Sequence, residues 1–485
     1  MKEKNLIIVC IVFVLLVSLV FLKKGMNRPV PTVEEITNII EPSLDESSTN
    51  KIVVRLGGGG SEDGDNPRNI HLAKKDDHWI VETQYGVYAN DNVVTALLEG
   101  FDSLEGELRS DTAEVLSDYG IDDEGGVHVE FHRQGAGRLH TVVGTKQAGY
   151  QNNFVRLGGT NAVYAVGTNL LASLGVRDDG DNKKLDVNRW VDKRIAHMDV
   201  DAIVSFAVTE KQAGRDVRVL DLKQDLVEDK KQWKSNIPYN FGLSATKIKS
   251  VLGVFNNTYA REIVAPDQED VFNDIGWAAV FILADGQEIK IIRGRKDKTG
   301  DNYYMKQEGA GYFYLVPAST FNSRKDQQGN IFASNPLGVE ETKIVSIEIN
   351  SLDMNKKFLV TKKTRINVND APDGEVTEEG EEAKEALPET VWETPEGEIV
   401  AADKITDIVG KLKNINPEII LQPLASLENS MTITITKDGG STKYVIGKDI
   451  TMDSGKECRF LKVDGTEQGY CVSKSTLIAL QDALP

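Results

Sequence analysis

The sequence predicts an α+β protein in which an N-terminal transmembrane helix is followed by three tandem repeated modules of antiparallel sheet plus helix. Three observations support this prediction. The chain begins with a long apolar run between lysines. Three charged, strand-like segments each contain a tryptophan and are each followed, after a similar interval, by an amphipathic helix. Paired alternating segments with short turns follow each helix. The tryptophans are Trp79, Trp233 and Trp392.

The apolar run extends from Asn5 to Leu22 and has lysines on both sides. Its length is close to the minimum for a helix that crosses a bilayer. A cleaved signal peptide is the alternative, but no small-residue cleavage site follows the run. We therefore expect an uncleaved anchor over residues 1–24 and a stalk over residues 25–50. Because long acidic domains translocate largely regardless of charge, we expect the bulk of the chain outside the cytoplasmic membrane.

The predicted helices of the first and third modules have the same apolar spacing of i, i+3, i+4, i+7 and i+10, and the second follows it in part. A repeated unit is usually built for architecture or binding, whereas catalytic residues tend to be unique. The apolar positions are Val94, Leu97, Leu98, Phe101 and Leu104, then Ile248, Val251, Leu252 and Phe255, then Ile405, Ile408, Val409, Leu412 and Ile415.

Module one is predicted over residues 51–175. It opens with a strand at Ile52–Leu56, returns toward Trp79 and continues into the first helix. Two hairpins and a short helix complete an antiparallel α+β unit. The hairpins pair Val127–Arg133 with Arg138–Val143 and Asn153–Leu157 with Ala162–Val166, and the helix is Asn169–Leu174.

A linker and module two are predicted over residues 176–330, with a helix at 244–257, and module three over residues 339–485. Module three has an insertion, residues 370–398, which is dominated by Glu and Asp. Its low hydrophobicity does not offset the entropy lost on ordering, so the insertion is expected to be a disordered loop.

The two cysteines outside the apolar run, Cys458 and Cys471, flank an Asp464-Gly465 turn. A two-residue turn would place the cysteines directly opposite each other, and the same register would pair Phe460 with Gly469. That position accepts a disulfide, which would indicate an oxidising compartment. Two reduced thiols in a cytoplasmic strand pair are the alternative.

The segment His128 to His132 contains the one group of metal-ligand residue types at a suitable spacing, because His128, Glu130 and His132 share one face of a strand. His140 joins them if the following turn has an odd number of residues. The alternation of a half-buried strand produces the same pattern, so no metal, cofactor or catalytic residue is assigned. The chain has no nucleophile elbow and no dinucleotide fingerprint.

The segment around module one is similar to the bacterial "domain of unknown function 4340" family, most closely over residues 50–205. This resemblance implies a membrane-anchored protein associated with gliding-motility-type ABC transporters, with no catalytic residues to carry over. The residues that carry it are the lone anchor, Trp79, Asp118-Tyr119-Gly120-Ile121, Phe154-Val155-Arg156, Val163-Tyr164-Ala165-Val166 and Trp190-Val191-Asp192-Lys193-Arg194.

The function expected from these features is a non-enzymatic extracytoplasmic scaffold or binding protein, an accessory component of an ABC-transporter-type membrane complex. The formal net charge of −19 argues against nucleic acid as a partner, because both surfaces would be negative. Two alternatives stay open. One is a metal-dependent envelope hydrolase that uses His128, Glu130 and His132, and the other is a polysaccharide-binding adhesion module that uses exposed tryptophans.

Overall fold

The computed structural model describes residues 36–485 apart from 41–43, 45, 59–66, 103, 136, 148–151, 180–181, 213, 229, 268, 367–387, 421–427 and 467. The chain divides into two compact units, Met1–Asp192 and Lys193–Pro485. The predicted anchor, residues 1–24, lies outside the described residues. Among the residues that are described, no helix combines the length and apolarity needed to cross a membrane.

The first unit contains a ten-stranded antiparallel sheet and a separate two-stranded sheet. The helices are α1 (Asp91–Asp102), α2 (Leu170–Ser173) and α3 (Val187–Trp190), with a 3₁₀ turn at Ala113–Val115. The strands are β1 (Ile36–Asn38), β2 (Thr49–Leu56), β3 (Asn69–Lys75), β4 (His78–Val81), β5 (Val87–Tyr88), β6 (Glu105–Ser110), β7 (Val127–Arg133), β8 (Gly137–Gln147), β9 (Asn153–Leu157), β10 (Val163–Val166), β11 (Val176–Asp179) and β12 (Asn182–Leu185).

The large sheet of the first unit has the order β1-β6-β10-β9-β8-β7-β2-β3-β4-β5. Strand β2 shows why these segments form strands, because Ile52, Val54 and Leu56 alternate onto the buried face. Helix α1 buries the predicted apolar stripe. The ring of Phe101 on this helix lies 5.1 Å from that of Phe131 on β7. One face of the sheet therefore forms the core with α1.

The second unit contains two large antiparallel sheets. The strands of the first are β13 (Ile203–Gln212), β14 (Arg215–Val227), β15 (Lys230–Ser235), β16 (Glu262–Val264), β17 (Trp277–Leu283), β18 (Glu288–Lys296), β19 (Asn302–Gln307) and β20 (Phe313–Pro317). Its order is β15-β14-β13-β17-β18-β19-β20-β16. The helices here are α4 (Ala245–Leu252) and α5 (Ala318–Gln327), with 3₁₀ turns at Val200–Ala202 and Glu269–Phe272.

The other large sheet of this unit has the order β24-β23-β22-β21-β26-β27-β28-β29-β25. Its helices are α6 (Ala402–Lys413) and α7 (Lys474–Asp482), with a 3₁₀ turn at Glu341–Lys343. Its strands are β21 (Ile344–Ser351), β22 (Lys356–Ile366), β23 (Pro388–Glu393), β24 (Ile399–Val400), β25 (Glu418–Ile419), β26 (Asn429–Lys437), β27 (Gly440–Thr451), β28 (Glu457–Val463) and β29 (Tyr470–Val472).

The three large sheets share one strand order. In each, the opening strand (β2, β13 or β21) lies between the second strand and the long strand that follows the amphipathic helix. The last strand of each meander pairs with a short strand that comes soon after that helix, namely β6, β16 or β25. The predicted α+β class with antiparallel pairing is therefore confirmed for the described residues.

Helix α4 is shorter than the predicted helix over residues 244–257. Ser244 caps its N-terminus by accepting a hydrogen bond from the backbone of Lys247, and the helix ends before Gly253. Beyond this end, the side chain of Asn256 accepts from and donates to the backbone of Met198. These hydrogen bonds hold residues after 252 in a turn instead of a continued helix, and the buried Phe255 lies in that turn.

The prediction that residues 370–398 form a disordered loop is wrong for its C-terminal part. Pro388–Glu393 form β23, which pairs with β22, and Trp392 on this strand is buried. Burying that side chain favours an ordered strand despite the acidic composition around it. Residues 370–387 lie outside the described residues.

The two sheets of the second unit are joined by an aromatic cluster. The ring of Tyr470 on β29 lies 4.7 Å from that of Phe241 and 5.6 Å from that of Phe332. Its hydroxyl donates to the side-chain oxygen of Asn240 at 2.9 Å. These contacts between residues far apart in sequence explain why residues 193–485 form one compact unit.

Candidate functional site

The predicted histidine face lies on β7, and the neighbouring β8 adds a fourth residue. Arg133 pairs with Gly137, so the turn has an odd number of residues and His140 lies opposite Glu130. Nδ1 of His128 and Nε2 of His140 are 3.0 Å apart, and the two rings are stacked. The structure therefore brings His128, Glu130, His132 and His140 to one face of the sheet.

The hydrogen bonds of His128 determine its tautomer. Its Nε2 lies 2.9 Å from the backbone carbonyl of Asp123, which can only accept, so Nε2 carries the proton. Burial lowers the pKa of His128, which is 3% exposed, and the neutral ring then has its lone pair on Nδ1. His140 therefore donates from Nε2 to that lone pair. Burial also lowers the pKa of His140, and the neighbouring His128 lowers it further.

This arrangement uses both ring nitrogens of His128 within the protein. Glu130 is in turn held by Arg138, with 3.2 Å between Nη1 and Oε1, and lies 3.6 Å from Nε2 of His132. Within the described part of the chain, no group of three or more His, Cys, Asp or Glu side chains could hold a metal ion. The observed bonds support a packing role for this face.

Close packing holds His140 in place. A Cβ atom at position 158 would overlap its Nδ1, so Gly158 allows the ring to lie over β9's end. Arg156, which is almost fully buried, donates from Nε to the carbonyl of Ile121 and pairs with Asp123. The loop that accepts the hydrogen bond from His128 is thus fixed by Arg156 as well.

Cys458 and Cys471 form a disulfide with their Cα atoms 5.7 Å apart, but the predicted strand register is wrong. Cys471 lies opposite Phe460, so the register is displaced by two residues and the disulfide is diagonal. The Asp464-Gly465 turn does form, with the amide of Thr466 bonded to the carbonyl of Val463. The strand partner begins only at Tyr470, which pairs with Leu461, and Gln468 and Gly469 before it are not part of the strand. The ring of Phe460 still packs over Gly469, because a Cβ atom at position 469 would lie only 2.5 Å from Cε2 of Phe460.

The three tryptophans differ in exposure. Trp79 and Trp392 are 1% and 5% exposed, whereas Trp233 is partly exposed. All three lie on strands at the same place in the sheet order, namely β4, β15 and β23. The adhesion alternative requires three exposed tryptophans on one surface, and two of the three are buried.

A buried ionic cluster was not predicted from the sequence. Lys325 on α5 is fully buried, and its Nζ lies 2.9 Å from Oε1 of Glu210 on β13 and 2.5 Å from Oδ2 of Asp453. Burial raises the pKa of Glu210 despite the opposing effect of Lys325. Asp453 belongs to the turn between β27 and β28. The cluster therefore links the two sheets of the second unit.

A polar cavity of about 440 Å³ lies beside this cluster. Asp326, which is 4% exposed, forms part of its wall and accepts a hydrogen bond from the hydroxyl of Ser454. Its other carboxylate oxygen has no partner among the described residues, and burial raises its pKa. Lys456 pairs with Glu418 at the same wall. The cavity lacks aromatic side chains in its lining.

A weak signal in the sequence marks this cluster. Phe321 and Lys325 are spaced one helical turn apart on a mostly polar segment, and both are buried. Because a lysine normally lies on a solvated face, the sequence pattern predicts that Phe321 is buried but does not predict that Lys325 is. The partners of Lys325 come from positions more than a hundred residues away, which no local pattern can indicate.

The fold and these clusters define a sheet-rich α+β protein in which the polar clusters connect strands and sheets. Residues 79–276 match the family model described as Domain of unknown function (DUF4340). The resemblance seen in the sequence is thus confirmed, and the chain carries a domain of this family. The matched segment begins at Trp79 on β4 and ends just before β17. No curated protein and no solved structure matches the chain.

Proposed function

We propose that this protein is a non-enzymatic scaffold or binding protein, anchored in the cytoplasmic membrane by residues 1–24. Its three tandem modules lie outside the membrane and contact an ABC-transporter-type membrane complex as an accessory component. The predicted stalk, residues 25–50, is wrong in its C-terminal part, because Ile36–Asn38 pair with β6 in the sheet of module one and Ile40 is buried. A linker precedes module two, and module three is the C-terminal part from residue 339.

The strand order shared by the three large sheets carries this proposal. A recurring unit with the same arrangement of strands offers similar surfaces at successive places along the chain, which suits binding or spacing more than chemistry. The family resemblance supports the transporter part, because members of the family are commonly membrane-anchored and associated with such transporters. Function itself must be argued from sites and partners, since a fold hosts many activities.

The internal use of polar groups is consistent with this role. Both ring nitrogens of His128 are engaged within the protein, and Lys325 is engaged by two carboxylates. The disulfide between Cys458 and Cys471 supports an oxidising location, because such bonds persist mainly outside the cytoplasm.

The test is affinity purification of the full-length protein from gently solubilised membranes, with mass spectrometry of the bound proteins. Recovery of a transporter permease or ATPase, lost after a high-salt and harsh-detergent control, supports the proposal. A protein that is repeatedly recovered alone contradicts the transporter association.

Topology is tested separately by labelling thiols in intact cells with a membrane-impermeant maleimide. Both cysteines of the disulfide are buried, so the probe is a Leu352→Cys substitution at a 60% exposed position, made in a Cys458→Ser/Cys471→Ser background that keeps Cys10. We expect Leu352→Cys to be labelled in intact cells, and the background variant without it is the matched control. Labelling of Leu352→Cys that requires cell lysis would place module three inside the cell and contradict the extracytoplasmic location.

A further inference from the structure

Strand β15 differs from its counterparts in the other two large sheets. In the first unit, β4 is followed in the sheet by β5, and β23 is followed by β24 in the same way. The sheet that contains β15 ends at that strand. Among the described residues, its outer edge therefore has no strand partner, and backbone donors and acceptors lie open along it.

The helix beside this edge is also shorter. Helices α1 and α6 have 12 residues each, whereas α4 has 8. Trp79 and Trp392, on the strands that correspond to β15, are buried, and Trp233 is partly exposed. Helix α4 is thus about one turn shorter than α1 and α6, and Trp233 is the tryptophan of the three that is left partly exposed.

An apolar side chain lies next to Trp233 on the same face. On β14, Leu222, Gln224 and Leu226 are two residues apart and therefore lie on one face, and Leu222 is buried in the core. Trp233 pairs with Gln224 and Lys231 pairs with Leu226, so both lie on this same face. Leu226 is 74% exposed. The face of the β14–β15 hairpin that packs on the core near Leu222 is therefore still apolar, at Trp233 and Leu226, where it is exposed to solvent.

The edge is basic, although the chain has a net charge of −19. Lys230, Lys231 and Lys234 on β15 are all exposed. Lys234 lies 3.3 Å from Asp225, whereas neither Lys230 nor Lys231 has an ion-pair partner among the described residues. Lysines on an edge strand protect against aggregation. Protection alone does not account for Leu226 and Trp233 beside them, because exposed apolar groups favour association.

We propose that the outer edge of β15 binds an extended acidic segment of a partner protein by strand addition. Backbone hydrogen bonds to the edge would give the register. Carboxylates of the partner would pair with Lys230 on one face of the added strand, which Lys234 shares, and apolar side chains on the opposite face would cover Leu226 and Trp233 next to Lys231. The proposal deepens the proposed binding role by naming one surface and the chemistry of its partner.

Tryptophan fluorescence provides the test, because the other four tryptophans, Trp79, Trp190, Trp277 and Trp392, are at most 5% exposed. Acrylamide quenching of the full-length protein in detergent is measured with a capped peptide, as long as β15, that alternates Glu and Val. We expect the peptide to protect Trp233 saturably. A peptide that alternates Lys and Val and one that alternates Glu and Ser should not.

A Lys230→Glu/Lys231→Glu variant should weaken the protection about tenfold, since two attractions become repulsions. A Lys74→Glu/Lys75→Glu variant makes the same charge change on β3 and should leave the protection unchanged. Trp233→Phe should remove the quenchable fraction, which assigns the signal.

Absence of protection at millimolar acidic peptide would overturn the proposal, as would equal protection by the basic peptide. Equal binding to the Lys230→Glu/Lys231→Glu variant would also overturn it. None of these outcomes depends on the transporter, so a failure here leaves the proposed function standing, and a failed purification leaves this surface standing.

Discussion

Replacing Lys325 with Met should destabilise the second unit by leaving a carboxylate buried without its cation. Lys325 is fully buried, Glu210 is 6% exposed, and their charged atoms are 2.9 Å apart. The second oxygen of Glu210 has no hydrogen-bond partner among the described residues. Removing one partner of a buried pair costs about 3–5 kcal/mol. We expect the lower part of this range, because Asp453 is half exposed and stays hydrated after the substitution.

The size of this effect should depend on pH. Burial raises the pKa of Glu210 in the folded protein, so the folded state binds more protons than the unfolded state between the two pKa values. The contribution of this carboxyl to stability therefore falls as the pH rises through that window. Without Lys325 the folded-state pKa rises further, so the penalty of Lys325→Met should shrink as the pH falls toward the ordinary pKa of Glu.

Hydrogen exchange measured by mass spectrometry on the full chain separates the two units. In Lys325→Met, amides of α5 and β13 should exchange about a hundredfold faster at neutral pH, since each 1.4 kcal/mol is about tenfold. Peptides of the first unit serve as the internal control. A Lys325→Met/Glu210→Leu variant should recover most of the protection, because the buried carboxylate that Lys325 pairs with is removed as well. Exchange in the single variant within about threefold of the original protein would refute this reasoning.

Three further substitutions test the other clusters. Burial lowers the pKa of His128, so the unfolded state binds more protons than the folded state below the ordinary His pKa. The first unit should therefore lose stability as the pH falls through about 6.5. His128→Gln should flatten this pH dependence in hydrogen-exchange measurements of β7, and an unchanged slope would contradict the prediction. Gly158→Ala should cost about 1–3 kcal/mol in denaturant unfolding by displacing His140, whereas Gly167→Ala, which has open space at its Cα, should be near neutral. Cys458→Ser/Cys471→Ser should lower the free energy of unfolding by roughly 3 kcal/mol, because the disulfide closes a loop over a separation of 13 residues. Reductant should have the same effect on the original protein. Equal unfolding midpoints for the variant and the original protein would argue against this.

Local patterns in the sequence predicted most of the strands and the stripes of α1 and α6. Alternation places Val127, Val129 and Phe131 on the buried face of β7, and the 3.6-residue period places Phe101 above them. These periods depend only on backbone geometry, so they can be read without knowing the fold. The same reasoning predicted that His128, Glu130 and His132 share a face.

Predictions that needed the position of a distant segment were less accurate. The register of the cysteine hairpin was displaced by two residues, because turn chemistry at Gly465 does not determine where β29 begins to pair. The segment around Trp392 was correctly predicted to be strand-like, but it was also included in the disordered insertion, because its acidic surroundings hide the pairing with β22.

The sequence by itself determined the class of the protein, its antiparallel hairpins, its amphipathic helices and the family of the domain that covers residues 79–276. Only the tertiary structure decided that Lys325 is buried, that His128 is saturated by hydrogen bonds, and that Trp233 alone among its counterparts is uncovered. Periodicity reports which face of an element is buried. Burial of a charge depends on partners brought from far along the chain, and exposure of an apolar residue depends on what fails to cover it.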